Sequence, residues 1–275
     1  MQTRVSLAIA DLPVTVLDDA PEPSEWLTER CKAFHRATPD RADGSAIAIH
    51  RDASFTLALD ETVVDLSHES GAFSVRGVDF HMQRRRCGLP IEVTAHPEAG
   101  LAGILRWAVG LRLIETGGLL VHGMAYVFDG SGVLAAGPSG RGKSTLSRLI
   151  RERVHLLTDE TAAVRFVGEA PVVYSTPFAG ELGLVSGPAS AMLESLLFLS
   201  HAPEHCFEKV GAADATAKLL GCVFAPLAGG AWLDTCLATA ERVARSVPTY
   251  AFGFRPEPDV WEKLSDACHR AVPSS

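Results

Sequence analysis

The sequence has 275 residues, of which 47% are hydrophobic and 21% charged, a balance typical of a globular protein with ample core. Its formal net charge of -8 argues against a general nucleic-acid binder, because phosphate backbones require clustered Lys and Arg. No apolar run approaches the length of a membrane-spanning helix, and the N-terminus lacks the long apolar core of a signal peptide, so we expect no membrane partner. Six scattered cysteines without a C-x-x-C pair are expected to be reduced, which favours a cytoplasmic location.

The first hundred residues predict a small, largely antiparallel domain. Short β-like runs separated by Asp, Gly, Pro and Ser clusters are expected at residues 5–10, 46–49, 55–59, 62–65, 72–75 and 91–94. One helical stretch is expected at residues 23–34, and the segment between the fourth and fifth runs fits a hairpin turn. We therefore predict a mainly β accessory domain at residues 1–99.

From residue 100 the apolar runs become longer and include helical spacings, which predicts a mixed α/β domain at residues 100–275. Helices are expected at residues 101–115, 144–153, 212–220, 231–244 and 258–271. Strands are expected at residues 119–122, 124–128, 132–136, 154–157, 162–166, 172–174, 196–199 and 248–254.

A glycine-rich loop at residues 137–144 carries the strongest signal in the chain. It matches the Walker A pattern G-x-x-x-x-G-K-[ST] at every fixed position, as Gly137, Pro138, Ser139, Gly140, Arg141, Gly142, Lys143 and Ser144. In such a P-loop the backbone N–H groups point at phosphates, the Lys bridges the β- and γ-phosphates and the Ser binds magnesium. The motif, extended by Thr145, predicts a bound nucleoside triphosphate, ATP, with Mg²⁺.

Two neighbouring segments narrow the choice among kinases, ATPases, GTPases and nucleotide sensors, which the loop alone does not separate. His122 and Gly123 lie at the end of an expected strand, two β-runs before the loop. Asp159 and Glu160 follow the expected strand just after the loop's helix.

With these neighbours the sequence resembles the catalytic domain of the HPr kinase/phosphorylase family over residues 119–183. The shared features are the His-Gly pair, a loop of the form G-x-S-G-x-G-K-S and an acidic pair after the following strand. The resemblance implies a P-loop kinase core of the HPr-kinase/PEP-carboxykinase-like type. More loosely, residues 247–256 are similar to the tails of HPr-kinase-like proteins found beside peptide-modification genes, among which lasso-peptide tailoring kinases are the relatives to compare first.

The resemblance also implies roles for individual residues. One carboxylate accepts the proton of the acceptor hydroxyl and the other helps to hold magnesium. We favour Asp159 as the base, with Glu160, Ser144 and Glu181 as magnesium ligands, while His122 tunes the charge near the phosphates. The family pair is Asp-Asp, so the choice of base between Asp159 and Glu160 stays open.

The implied reaction is transfer of the ATP γ-phosphate to a hydroxyl, that of a serine in a small protein or a ribosomally made peptide. A small-molecule hydroxyl, a non-catalytic nucleotide sensor and an ATPase stay open as alternatives. True HPr kinases carry Glu where this chain has Thr145, and their Glu-Ile-Arg-Gly segment is not recognised here, so reverse phosphorolysis is not inferred. Relatives often form homo-oligomers, although this sequence has no interface signal of its own.

Other polar clusters receive simpler interpretations. The basic run at residues 84–86 is interpreted as a solvated face. His201, His205 and Cys206 resemble metal ligands but lack a fourth partner, so we interpret them as incidental. Arg255 could touch a phosphate, but a surface salt bridge is favoured.

Overall fold

The computed structural model describes residues 3–36, 46–55, 63–66, 72–77, 79–180, 182–183, 186–224 and 230–271. The chain divides into two compact units, one of residues 1–112 and 225–234 and one of residues 113–224 and 235–275. Each unit contains one mixed sheet, so the predicted mixed α/β class is confirmed. None of the described helices is both long and apolar enough to cross a membrane.

The first unit is built on seven strands in the spatial order β1-β2-β3-β7-β6-β5-β4. The strands are β1 (Thr3–Ile9), β2 (Leu12–Asp18), β3 (Ala46–Arg51), β4 (Val63–Leu66), β5 (Phe73–Arg76), β6 (Phe80–Arg84) and β7 (Ile91–Ala95). The β2–β3 and β3–β7 pairs are parallel and the remaining pairs are antiparallel. This agrees with the predicted largely antiparallel arrangement. The expected β4–β5 hairpin pairing is present.

Several expectations for this unit were wrong or lie outside the described residues. The strand β2 was not predicted, because the polar break at Asp11 was read as the end of a run. Ala10 and Asp11 instead adopt positive φ values of 50° and 59° and form a tight β1–β2 hairpin turn. The expected helix at residues 23–34 is a π-helical segment, Trp26–Arg30, followed by a 3₁₀ turn, Lys32–Phe34. The expected run at residues 55–59 lies, apart from Phe55, outside the described residues.

Two arginines of the first unit are buried. Arg84 ends the unpredicted strand β6, is 2% exposed and lies 5.0 Å over the Phe73 ring, so the basic run is not wholly a solvated face. Arg51 makes two hydrogen bonds to the Asp18 carboxylate, at 3.0 and 2.9 Å, and both side chains are shielded from solvent. The buried charges of this unit are therefore stacked or paired, as desolvation requires.

The second unit combines a mixed sheet with helices. Its strands are β8 (Leu119–Phe128), β9 (Ser131–Ala136), β10 (His155–Thr158), β11 (Thr161–Val167), β12 (Ala170–Tyr174), β13 (Ser190–His201), β14 (Cys206–Lys209) and β15 (Thr249–Phe254). Its helices are α2 (Lys143–Ile150), α3 (Ala212–Leu220) and α5 (Val260–Ala271). The helix α1 (Leu101–Glu115) belongs to the first unit up to Arg112, and α4 (Gly230–Ser246) belongs to the first unit up to Asp234 and to the second unit from there. The helices α1 and α3 have the predicted bounds, whereas β14 was not predicted.

The strand β8 is the centre of this unit. It pairs antiparallel with β9, β10 and β11, and β9 in turn lies parallel to β13, which is also parallel to β15. The sequence predicted two runs separated by Gly123, but β8 is continuous. A Cβ at Gly123 would lie 3.0 Å from Leu134 Cδ1 and 3.1 Å from the Ala135 carbonyl oxygen. Glycine is therefore needed for close approach to β9 and does not break the strand.

A core of buried side chains supports α2 and α5 against the sheet. Leu146 and Ile150 of α2 pack there with Leu264 of α5 and with residues of β8, β9, β13 and β15. The ring of Phe252 stacks on that of Phe207 at 4.2 Å and on Phe254 at 5.5 Å. This core fixes α2, and with it the loop that precedes α2, against the sheet.

Candidate active site

The glycine-rich loop connects β9 directly to α2, as predicted. Gly140 and Gly142 have φ values of 78° and 93°, a left-handed conformation that L side chains rarely adopt. Gly142 is also confined, because an added Cβ would stand 2.7 Å from the Phe254 ring. The loop therefore uses glycine where backbone shape and packing both require it, and its amides precede the N-terminus of α2.

Lys143 is the first residue of α2 and is 7% exposed. Its Nζ donates hydrogen bonds to the carbonyl oxygens of Gly137 at 2.7 Å and Pro138 at 2.9 Å. Burial lowers the pKa of this ammonium from its ordinary value of 10.5, while the nearby Cys222 and Glu160 raise it. The Lys143 side chain therefore folds back over the loop that precedes it. Its ammonium lies close enough to the Glu160 carboxylate to interact with it electrostatically.

The acidic pair, Asp159 and Glu160, forms the two-residue connection between β10 and β11. Both strands pair with β8, and Asp159 and Glu160 lie between the two pairings, opposite Gly123 of β8. The Gly123 amide donates a hydrogen bond to the Glu160 carbonyl oxygen at 2.8 Å. Asp159 is 3% exposed, and its Oδ1 and Oδ2 accept hydrogen bonds from the Gly180 and Leu182 amides at 2.8 and 2.9 Å. Two backbone donors therefore hold this carboxylate in one orientation.

Most of the predicted site residues line one cleft of about 250 Å³, which we call the loop cleft. It is lined by Ser139, Gly140, Gly142, Lys143, Ser144 and Thr145 of the loop and by His122, Arg148, Asp159, Glu160, Gly180 and His201. Gly137, Pro138 and Arg141 line a different cleft beside it. Glu181 lies outside the described residues.

The position of His122 follows from its place on β8. Its backbone carbonyl accepts a long hydrogen bond of 3.4 Å from the Gly137 amide, and its own amide donates to the Cys222 carbonyl oxygen at 2.7 Å. Its imidazole lies 5.7 Å from the Phe224 ring, between centroids. The residue therefore borders both the start of the loop and the acidic pair.

Sequence reasoning missed three residues of the loop cleft, namely His201, Arg148 and Gly180. His201 ends β13, and its Nε2 donates to the Gly140 carbonyl oxygen at 2.8 Å. The local sequence marked it only as an incidental resemblance to a metal ligand, because it reaches the loop through the parallel pairing of β13 with β9. Arg148 could have been found from helical spacing, since it lies one turn after Ser144 and Thr145.

The oxygen donors of the loop cleft suit magnesium. Ser144, Asp159 and Glu160 offer a hydroxyl and two carboxylates, which are the donor types Mg²⁺ prefers. Within the described part of the chain, no three His, Cys, Asp or Glu side chains are grouped as a metal site. Magnesium in nucleotide sites commonly uses one or two protein ligands together with phosphate oxygens and water.

The other polar candidates lie away from this cleft. His205 pairs with Asp259 at 3.0 Å, and Cys206 is an exposed free thiol. Arg255 forms ion pairs with Asp259 at 2.7 Å and Glu257 at 3.3 Å, which confirms the salt-bridge interpretation.

Comparison with known proteins adds little to this geometry. No protein-family model matches the sequence, and no curated protein matches it. Among solved structures the chain is similar to the Hpr(Ser) kinase/phosphatase from Coxiella burnetii, at 17% identity and a TM-score of 0.30, covering 55% of this chain and 95% of that chain. A similarity of this size carries no argument about activity, so function has to be argued from the chemistry of the cleft.

Proposed function

We propose that the chain is an ATP-dependent phosphotransferase that uses a P-loop kinase core of the HPr-kinase-like type. The acceptor is a hydroxyl, that of a serine in a small protein or ribosomally made peptide. The observation that carries the proposal is the joint lining of one cleft by Lys143, Ser144 and two carboxylates, Asp159 and Glu160. A nucleotide sensor requires the loop alone, whereas a proton acceptor beside it is what phosphate transfer to a hydroxyl requires.

The loop supplies binding and charge compensation. Amides of residues 137–144 and the N-terminus of α2 bind the phosphates, and Lys143 exchanges its two carbonyl partners for phosphate oxygens. An ammonium in a largely buried position interacts strongly with phosphate, because little water screens it. Ser144 and Glu160 would hold a magnesium ion, with Glu181 as an additional proposed ligand. When bound, this ion would compensate part of the charge on the leaving group.

Asp159 is the proposed base. Its two backbone hydrogen bonds leave lone pairs on both oxygens, so it can accept a proton while its orientation is maintained. The acceptor O–H proton passes to Asp159, the acceptor oxygen forms a bond to the γ-phosphorus, and the bond to the bridging β–γ oxygen breaks to release ADP. His122 adjusts the charge next to the same groups. Residues 1–99 are proposed to help recognise the acceptor.

Two variants test the proposal. Lys143→Ala should weaken nucleotide binding, measured by calorimetry, whereas Lys209→Ala, an exposed lysine on β14, should not. Asp159→Asn should abolish transfer of labelled phosphate from ATP and leave nucleotide affinity largely intact. Because asparagine can accept only one of the two amide hydrogens, it should also lower stability by about 1–3 kcal/mol. A folded Asp159→Asn variant with normal turnover would show that the acidic pair has been misassigned.

A further inference from the structure

A second cleft, of about 400 Å³, lies beside the glycine-rich loop in the same unit. One wall is formed by loop residues Gly137, Pro138 and Arg141. The rest of the lining comes from the C-terminal part of α3, which includes Lys218, from Gly221 and Cys222 just after it, and from β13 and β15. The main chain of these three loop residues is assigned to phosphate binding above, but the other residues that line this cleft have no assigned role.

The second cleft borders the end of the loop at which the transferred group would lie. The Lys143 ammonium, which belongs at the β- and γ-phosphates of a bound nucleotide, contacts the carbonyl oxygens of Gly137 and Pro138. These two residues are also part of the wall of the second cleft. We therefore expect a molecule in this cleft to lie close to the γ-phosphate position.

The charged side chains that line the second cleft are all positive. Its lining contains two cations, Arg141 and Lys218, and no carboxylate, in a chain whose net charge is -8. Neither cation has an ion-pair partner among the residues that the structure describes. Lys218 is also close enough to Cys222 to lower the pKa of that thiol, against the larger effect of burial, which raises it.

Part of the lining is apolar. Phe198, Leu199 and Ala251 contribute to it, and the first two are 8% and 5% exposed. A lining that combines apolar side chains with two cations fits a peptide that carries both an aliphatic or aromatic side chain and acidic side chains. A neutral nucleobase would use the apolar surface but would gain little from the two cations.

We propose that the second cleft binds the acceptor of the phosphotransferase reaction, as a peptide segment with acidic residues next to the acceptor serine. This inference rests on the proposed function. Arg141 and Lys218 bind the carboxylates of the segment, and Phe198 and Leu199 contact its apolar side chain. The neighbouring serine then reaches past Pro138 into the loop cleft, where Asp159 can accept its proton.

The test measures peptide binding to the full chain by fluorescence anisotropy, which does not require turnover. The probes are two labelled serine peptides that differ only in carrying aspartate or lysine around the serine. The aspartate peptide should bind more tightly, and Lys218→Glu should weaken its binding by roughly tenfold, because the substitution replaces an attraction with a repulsion, moderated by water at an exposed site. Lys209→Glu makes the same charge change on exposed β14, outside the cleft, and should leave binding unchanged.

Equal binding of the two peptides, or equal effects of Lys218→Glu and Lys209→Glu in variants with wild-type melting temperatures, would overturn the inference. Binding of adenosine that is lost in Lys218→Glu, without loss of peptide binding, would overturn it in favour of a nucleoside site. Failure of the proposed function looks different. The aspartate peptide would then bind in a Lys218-dependent way, yet no phosphate would be transferred to it.

Discussion

Replacing Gly180 by alanine would displace the acidic pair without altering any titratable group. The Gly180 amide donates to Asp159 Oδ1, and alanine keeps this amide. The added Cβ, however, would lie 2.8 Å from Glu160 Cβ and 3.1 Å from Asp159 Oδ2. Glu160 Cβ and Asp159 Oδ2 both lie near the main chain of their own residues. Neither atom can move aside as the end of a long, flexible side chain could.

The size of the effect follows from these distances. Ordinary contact begins at 3.4 Å, so Glu160 and residue 180 must separate by about 0.6 Å. Forcing an extra methyl group into a packed position costs about 1–3 kcal/mol of stability. Since a misplacement of about 1 Å can lower a catalytic rate roughly 100-fold, we expect kcat to fall roughly tenfold. Nucleotide affinity should change little, because the loop itself is untouched.

The assay is transfer of labelled phosphate from ATP to a serine peptide, with the nucleotide dissociation constant measured separately by calorimetry. Gly211→Ala is the matched control, because a Cβ there meets no atom within 4 Å and its φ of -68° suits alanine. Equal kcat values for Gly180→Ala and Gly211→Ala, in two folded proteins, would refute the placement of the acidic pair in the reaction.

Three further substitutions test other parts of the structure. His201→Phe removes the donor to the Gly140 carbonyl, and the loss of about 1 kcal/mol should weaken nucleotide binding roughly fivefold in calorimetry, with partial recovery in His201→Gln. Unchanged affinity would show that this contact does not shape the loop. Phe252→Ala, at a fully buried position, should cost about 3–5 kcal/mol in urea denaturation, and a cost below about 1 kcal/mol would contradict the packing described. Asp18→Ala leaves buried Arg51 without its carboxylate and should cost about 3–5 kcal/mol, whereas an unshifted denaturation midpoint would contradict a buried pair.

The parts of the site that could be predicted from sequence are those encoded locally. The glycine-rich loop was found because its spacing, and the strand and helix on either side, lie within about twenty consecutive residues. The acidic pair was noted from its place after an expected strand, and the resemblance then implied its role. Gly123 was misread as a strand break, because sequence alone does not distinguish a glycine that ends a strand from one that lets two strands approach closely.

The parts that could not be predicted depend on long-range pairing. His201 reaches the loop because β13 lies parallel to β9, a contact between segments about sixty residues apart that no periodicity reveals. The second cleft likewise requires α3 to lie next to the loop. In the first unit, Arg84 was interpreted as solvated because its charge dominates the sequence pattern, although it is one of the buried positions that alternate with half-buried ones along β6, and it stacks on Phe73.

Two consecutive residues of β8 set the spacing of three functional segments. His122 connects through backbone hydrogen bonds to the start of the loop and to Cys222 in the second cleft, and Gly123 connects to the acidic turn. Because these connections involve only main-chain atoms, we expect that side chains lining the second cleft can be exchanged without shifting Asp159 relative to the glycine-rich loop. Under the proposed function, a change of acceptor preference through residues such as Lys218 would then leave the proposed reaction geometry in place.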